Sequence, residues 1–231
     1  MDSERMGMCI PGYKKGNNMN QQGEACRMLL EGGQGEIIEK KSRFIATVRP
    51  VTSEAEAIDF IEEMRKKYWD ARHNCYAYVI GRKAELCRCS DDGEPSGTAG
   101  RPMLEVLLGD GVRNVAVVVT RYFGGTLLGT GGLVRAYTQA VQEGLAASVV
   151  GVERAGHEIL VTSDYNGVGK LQYLMGQRGI EPIYSEYGVD VHFTLLIPVE
   201  KSEELHKAMV EASNGRVKWE KRKELYFIDK G

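Results

Sequence analysis

The chain has 231 residues, with 30 Lys and Arg against 32 Asp and Glu, a formal net charge of −2 and 42% apolar residues. That length suggests one large domain or two small ones, and the apolar fraction is enough for a packed core. Near-zero net charge removes a global case for a polyanion partner, so any nucleic-acid role must rest on a local patch.

No run of about 18 apolar residues occurs, so no membrane-spanning helix and no membrane association are expected. Met1–Gly12 carries no basic segment followed by an apolar run, so no secretory signal is expected. Five cysteines (Cys9, Cys26, Cys75, Cys87 and Cys89) are an odd number spread thinly, which argues against a disulfide framework. A cytoplasmic location is the expectation.

Residues 1–35 read as a flexible N-terminal tail. Gly16–Glu24 is polar and lacks period, and the apolar patch Ala25–Leu30 is broken by Gly32, Gly33 and Gly35. Folding is expected to begin near Glu36, with a strand or hairpin over Glu36–Pro50. Ser53 with Glu56 fits a capping box, followed by Ala57, Ile58, Ile61, Met64 and Tyr68 at helical spacing. Asn74–Ile80 and Glu85–Ser90 read as strands joined around Gly81–Lys83. A loop follows over Asp91–Arg101, and then a short helix from Pro102. The unbroken run within Val112–Thr120 predicts a central strand buried on both faces. The glycine-rich loop Gly124–Gly132 then leads into a helix over Leu133–Ser148.

After a junction near Val150–Glu153 the pattern is strand Glu158–Thr162, helix Tyr165–Gly179 and strand Ile180–Tyr187. Strand Val189–Pro198, helix Ser202–Ser213 and strand Val217–Ile228 complete it. This β-α-β-β-α-β order is ferredoxin-like. The expected organisation is a tail (1–35), an α+β domain (36–150) and a ferredoxin-like domain (151–231).

Three segments carry candidate chemistry. Ser90–Pro102 holds Asp91, Asp92 and Glu94, three carboxylates suited to acid/base work or a cation, although Asp, Gly, Pro and Ser are also what tight turns require. Arg121, Tyr122 and Phe123 follow the buried strand, where an arginine beside two aromatics suits a phosphate, a base or a protein anchor. The alternative is that the aromatics cover the core edge while Arg121 pairs with Asp91, Asp92 or Glu94. In Gly124–Gly132, the residues Gly124, Gly125, Gly131 and Gly132 suit an anion at a helix start, but no lysine or Gly-Lys-Ser/Thr ending is present. Nucleotide-cofactor chemistry is therefore disfavoured, and no cofactor is expected. His73, Cys75, Cys87 and Cys89 could share a strand face, yet their spacing is unlike structural zinc sites, so no metal is expected either. Lys221–Lys223 is flanked by Glu220 and Glu224 and reads as a solvated strand end.

Together, His73–Tyr78, Ser90–Pro102, Val117–Gly125 and Leu128–Tyr137 resemble the Impact family in its bacterial two-domain branch, over about Glu36 to Leu145. The resemblance implies a ribosomal-protein-S5-domain-2-like first domain with a β-α-β crossover, followed by the small ferredoxin-like domain of bacterial members. The same pair of folds is similar to the last two domains of elongation factor G, and eukaryotic relatives regulate translation initiation. It thus implies a link to translation or RNA. The leading expectation is a non-catalytic, monomeric protein that binds RNA or a translation-associated protein. Arg72, His73, Arg101, Arg121, Tyr122, Phe123 and Arg135 would form its surface. The alternative is a hydrolase of a small phosphorylated or peptide substrate, using Asp91, Asp92 and Glu94 with the Gly131–Gly132 amides. Between Glu36 and Leu145 the chain has 15 basic and 15 acidic residues. RNA binding there requires the two signs to be segregated.

Overall fold

The computed structural model describes residues 26–229, which fall into two units, one running to Val152 and the other beginning at Glu153. The first unit holds strands β1 (Cys26–Glu31), β2 (Gln34–Glu39), β3 (Ser42–Pro50), β4 (His73–Ile80), β5 (Leu86–Ser90), β6 (Val112–Arg113) and β7 (Val115–Tyr122). Its helices are α1 (Glu54–Lys67), α2 (Gly100–Gly109) and α3 (Gly129–Ala146). Strand β8 (Val149–Ser163) crosses the division, and the second unit continues with α4 (Tyr165–Gln177), β9 (Tyr184–Tyr187), β10 (Val191–Pro198), α5 (Val199–Ala212) and β11 (Lys218–Asp229).

The main sheet of the first unit has the order β2-β3-β7-β4-β5, with every neighbouring pair antiparallel. Strands β3 and β4 both run antiparallel to β7, so β3-α1-β4 is a β-α-β crossover that leaves a slot for β7 between its strands. The apolar run of β7 is explained by what lies on each side. Period-two alternation sends Val115, Val117 and Val119 toward Met103, Leu107, Leu133 and Tyr137 of α2 and α3. It sends Ala116 and Val118 toward Phe60, Ile61 and Met64 of α1. A strand covered on both faces has no polar face to show, so the expected central strand is the observed one. Each fully buried valine contributes about 1.5–3 kcal/mol of transfer free energy.

Local signals place the helices. Ser53 caps α1 by accepting from the Glu56 amide at 3.3 Å, and the Glu56 carboxylate accepts from the Thr52 amide at 2.7 Å, so the box closes one residue earlier than Ser53. Helix α3 starts at Gly129 rather than Leu133, and α2 at Gly100, which leaves Pro102 within the first turn.

In the second unit β10 pairs antiparallel with β8 and β9, and β11 pairs β8, giving the order β11-β8-β10-β9. With α4 and α5 packed on one face through Leu171, Met175, Leu205 and Met209, this is the ferredoxin-like arrangement expected of β-α-β-β-α-β. Asp164 caps α4 by accepting from the Gly167 amide at 2.8 Å. Helix α5 begins at Val199, so Ser202 lies inside it, buried, and does not open it.

The expectation of a tail fails over residues 26–35. The Ala25–Leu30 patch largely becomes β1, whose Met28 and Leu29 are buried and which pairs in parallel with β6. Gly35 is not a breaker but a contact point within β2: a Cβ there would stand 2.5 Å from the Glu143 backbone of α3. The polar run Gly16–Glu24 lies outside the described residues. No helix among the described residues is long and apolar enough to cross a membrane.

Candidate functional site

The strand registers bring the candidate loops together. His73 lies opposite Arg121, Arg43 opposite Tyr122, and Tyr76 opposite Ser90. Antiparallel neighbours therefore place the start of β4 and the ends of β5 and β7 at one end of the sheet. The β2–β3 turn, where Glu39 pairs Ser42, lies at that same end. Ser90–Pro102 and the segment from Arg121 toward Arg135 converge there.

The carboxylates of the first loop are all engaged. Asp91 accepts from three backbone amides, with Oδ2 bonded to Gly97 at 2.8 Å and Oδ1 to Ala99 at 3.0 Å and Gly100 at 2.8 Å. It closes the loop and satisfies the opening amides of α2, where Ala99 supplies no side-chain cap. Asp92 accepts from the Asn74 amide at 2.6 Å and from Arg65 Nη2 at 3.1 Å. Glu94 is buried and accepts from Arg121 Nη1 at 2.6 Å and from the Tyr137 hydroxyl at 2.9 Å. The turn and ion-pair reading of this loop is the observed one.

Arg121 therefore does not belong to the surface. It is 6% exposed, and its guanidinium carbon lies 5.3 Å from the Phe44 ring centroid and 5.7 Å from that of Phe123. Burial next to a carboxylate and between two rings removes it from any external phosphate. Tyr122 is half-buried with its hydroxyl donated to Asp70 at 2.8 Å, whereas Phe123 is exposed. The interior network continues through Tyr137, whose hydroxyl accepts from the Cys75 thiol at 3.3 Å. Burial pushes the Cys75 thiol well above its ordinary value, and the nearby Glu94, Asp92 and Asp91 charges act in the same direction. Burial raises the Tyr137 hydroxyl too, so both groups are neutral at ordinary pH.

The outward side carries charges of both signs, Asp70 and Glu39 among them. Arg72, Arg101 and Arg135 are exposed. Arg101 has a surface pair with Glu105 at 3.0 Å, while Arg72 and Arg135 have no carboxylate partner among the described residues. His73 is half-buried and its Nδ1 lies 2.8 Å from the Asp92 carbonyl, which fixes the ring to the loop. Gly124 abuts the β2–β3 turn, and a Cβ there would come within 2.0 Å of the Lys41 carbonyl carbon. Gly125 is exposed with φ +84°, Gly131 is exposed and Gly132 is half-buried. The first turn of α3 has no side-chain cap and no acidic residue, and its Gly129, Thr130 and Gly131 face solvent.

No group of three or more His, Cys, Asp and Glu is gathered for a metal ion among the described residues. Cys87 and Cys89 of β5 face Val79 and Ala77 of β4, and Cys75 Sγ lies 2.9 Å from the Asp91 carbonyl oxygen. An open hollow of about 470 Å³ lies at the far end of the sheet, between Gly32–Gln34 and Thr47–Pro50.

Two features of this end escape a reading of the chain. Tyr137 occupies a helical core position, and only the fold shows its hydroxyl between Cys75 and Glu94. Lys40 and Lys41 form the tip of the β2–β3 turn with φ of +46° and +69°, both exposed, a conformation that usually selects Asn or Gly. The two adjacent lysines in the sequence are the one available signal.

Residues 40–145 match the Impact N-terminal domain, and residues 161–216 match a domain of unknown function designated DUF1949. The IMPACT family member YvyE of Bacillus subtilis is 42% identical, covering 87% of this chain and 93% of its own length. The IMPACT family member YigZ of Escherichia coli is 38% identical over 76% of this chain and 87% of its own. A crystal structure of a hypothetical protein superposes with a TM-score of 0.55 at 34% identity, covering 87% of this chain and 98% of that one. Both domain matches fall on the units described above, the identities extend across nearly whole relatives, and the chain belongs to the IMPACT family.

Proposed function

We propose that the protein is a non-catalytic binding protein linked to translation, and that its first unit engages RNA at the loop end of the main sheet. The observation that carries this reading is the segregation of charge. Asp70, Asp91, Asp92 and Glu94 are held by Tyr122, backbone amides, Arg65 and Arg121, while Arg72 and Arg135 stand exposed without carboxylate partners among the described residues. Asp70 and Glu39 remain exposed, but a unit with equal numbers of both signs can still present local positive charge where arginines are unpaired and acids are paired. Guanidinium groups suit phosphate oxygens because their planar fork donates two parallel hydrogen bonds. The link to translation is supported by the family resemblance alone. The hydrolase reading is weaker, because Asp91, Asp92 and Glu94 all accept from fixed donors of the protein itself.

The test is a titration of structured RNA at two salt concentrations, with the wild type and the triple variant Arg72→Ala, Arg101→Ala, Arg135→Ala. Three phosphate contacts predict a slope of log affinity on log salt of roughly −2 to −3, abolished in the triple variant. Absence of salt-dependent binding would sink the reading. Ribosome association that survives the triple variant and ignores salt would point to a protein partner instead.

A further inference from the structure

We infer that Trp69 is a stacking platform for an unpaired base, so that the RNA engaged at this end of the sheet is single-stranded. This rests on the RNA reading above and narrows it. Trp69 is 82% exposed, although it is the largest apolar side chain of the first unit, and it makes no ring contact among the described residues. Packing does not account for a bare indole, which leaves both ring faces open to a ligand.

Its surroundings specify the partner. Trp69 follows the last turn of α1, which carries Arg65, Lys66 and Lys67, and it precedes Arg72 by three residues. Basic residues there also complement the helix C-terminus, but that role asks nothing of the indole. Lys66 and Arg72 are exposed and lack carboxylate partners among the described residues. The acid nearest in the chain, Asp70, is exposed and accepts from the Tyr122 hydroxyl at 2.8 Å. That bond fixes the Trp69 loop to the end of β7, one residue from exposed Phe123. Lys40 and Lys41 project from the turn at the same end.

A protein anchor residue sits among neighbours that exclude water, whereas this indole is flanked in the chain by exposed Lys66, Lys67, Asp70 and Arg72. A ring with cations on either side matches a nucleotide, whose base stacks while its phosphates meet the charges. In an A-form duplex the base faces are covered by their neighbours, so only a single strand can use the ring.

The experiment uses the full chain. Labelled oligouridylate, a duplex of equal length and the corresponding single-stranded DNA are titrated at two salt concentrations. Fluorescence anisotropy gives the affinity, and tryptophan emission gives contact with the ring. Single-stranded RNA is expected to quench emission in the wild type but not in Trp69→Phe, where only Trp219 remains. Trp69→Ala should weaken single-strand binding about 5- to 150-fold, with Trp69→Phe restoring most of it. Duplex binding should be weaker and indifferent to either change. Trp69→Ala binding single strands like the wild type, while the arginine triple variant fails to bind, would overturn the stacking role and leave the RNA reading intact. Loss of all salt-dependent RNA binding in the wild type would instead remove both, and equal affinity for the DNA strand would overturn RNA as the occupant.

Discussion

Arg121 donates from Nη1 to Glu94 Oε1 across 2.6 Å, with side chains only 7% and 3% exposed. The pair joins the end of the central strand β7 to the Ser90–Pro102 loop, and the Tyr137 hydroxyl of α3 completes it. Three segments distant in sequence are thereby tied at one buried point.

Breaking that pair from either side leaves a charge without a partner in a low-dielectric interior. Arg121→Ala or Glu94→Ala should each cost about 3–5 kcal/mol of stability, read from urea midpoints. A paired replacement such as Arg121→Met with Glu94→Leu should recover most of the loss, because it removes both charges together. Equal losses in the single and paired variants would contradict this account.

Asp91 acts through amides rather than through charge on a ligand. Asp91→Ala should cost about 1–3 kcal/mol and loosen the loop between β5 and α2, since three N–H groups lose their acceptor. Hydrogen exchange at Gly97, Ala99 and Gly100 should accelerate well before the core of β7 responds. Uniform acceleration across the unit would argue against a local role.

The Cys75 thiol is held neutral by burial, so this thiol, read by mass spectrometry of its own peptide, should resist alkylation near pH 8 in the native protein and react only on unfolding. The same burial sets a pH dependence. Cys75, Tyr137 and Tyr78 all have raised values in the folded state, against ordinary values of 9.0 for the thiol and 10.0 for the phenols. Above about pH 9 the unfolded chain therefore binds fewer protons than the native one. Their contribution to stability is complete below that pH and is lost as pH rises further. Tyr137→Phe should flatten the alkaline fall in the urea midpoint; an unchanged slope would exclude this group as a source.

Gly124→Ala places a methyl group against the Lys41 backbone, where no flexible side chain can yield. The substitution should lower the thermal midpoint by several degrees and disturb the β2–β3 turn, whereas Gly125→Ala meets open space and costs only the strain of φ +84°. Comparable losses in the two would show that crowding is not the cause.

Much of the fold is legible because its signals are local. Val115–Val119 announces a strand covered on both sides, and Ser53 and Glu56 mark the opening of α1 correctly to within a residue. The β-α-β-β-α-β alternation gives the second unit's topology directly. What escapes are features decided by distant neighbours. Gly33 and Gly35 look like breakers until α3 and the Ala147–Ser148 turn after it are known to lie against them. Asp91, Asp92 and Glu94 are equivalent on paper, and only the path of the loop assigns Glu94 to Arg121. Gly129–Gly132 reads as loop because glycine is a poor helix former, yet packing of Leu133, Ala136 and Tyr137 pulls the helix back over it.

The pairing of Asp92 with Arg65 and of Glu94 with Arg121 bears on how the exposed end responds to its surroundings. Arg72 and Arg135 stand exposed there without carboxylate partners among the described residues. Exposed charges of this kind are screened over about a Debye length, so any binding that rests on them should weaken as ionic strength rises.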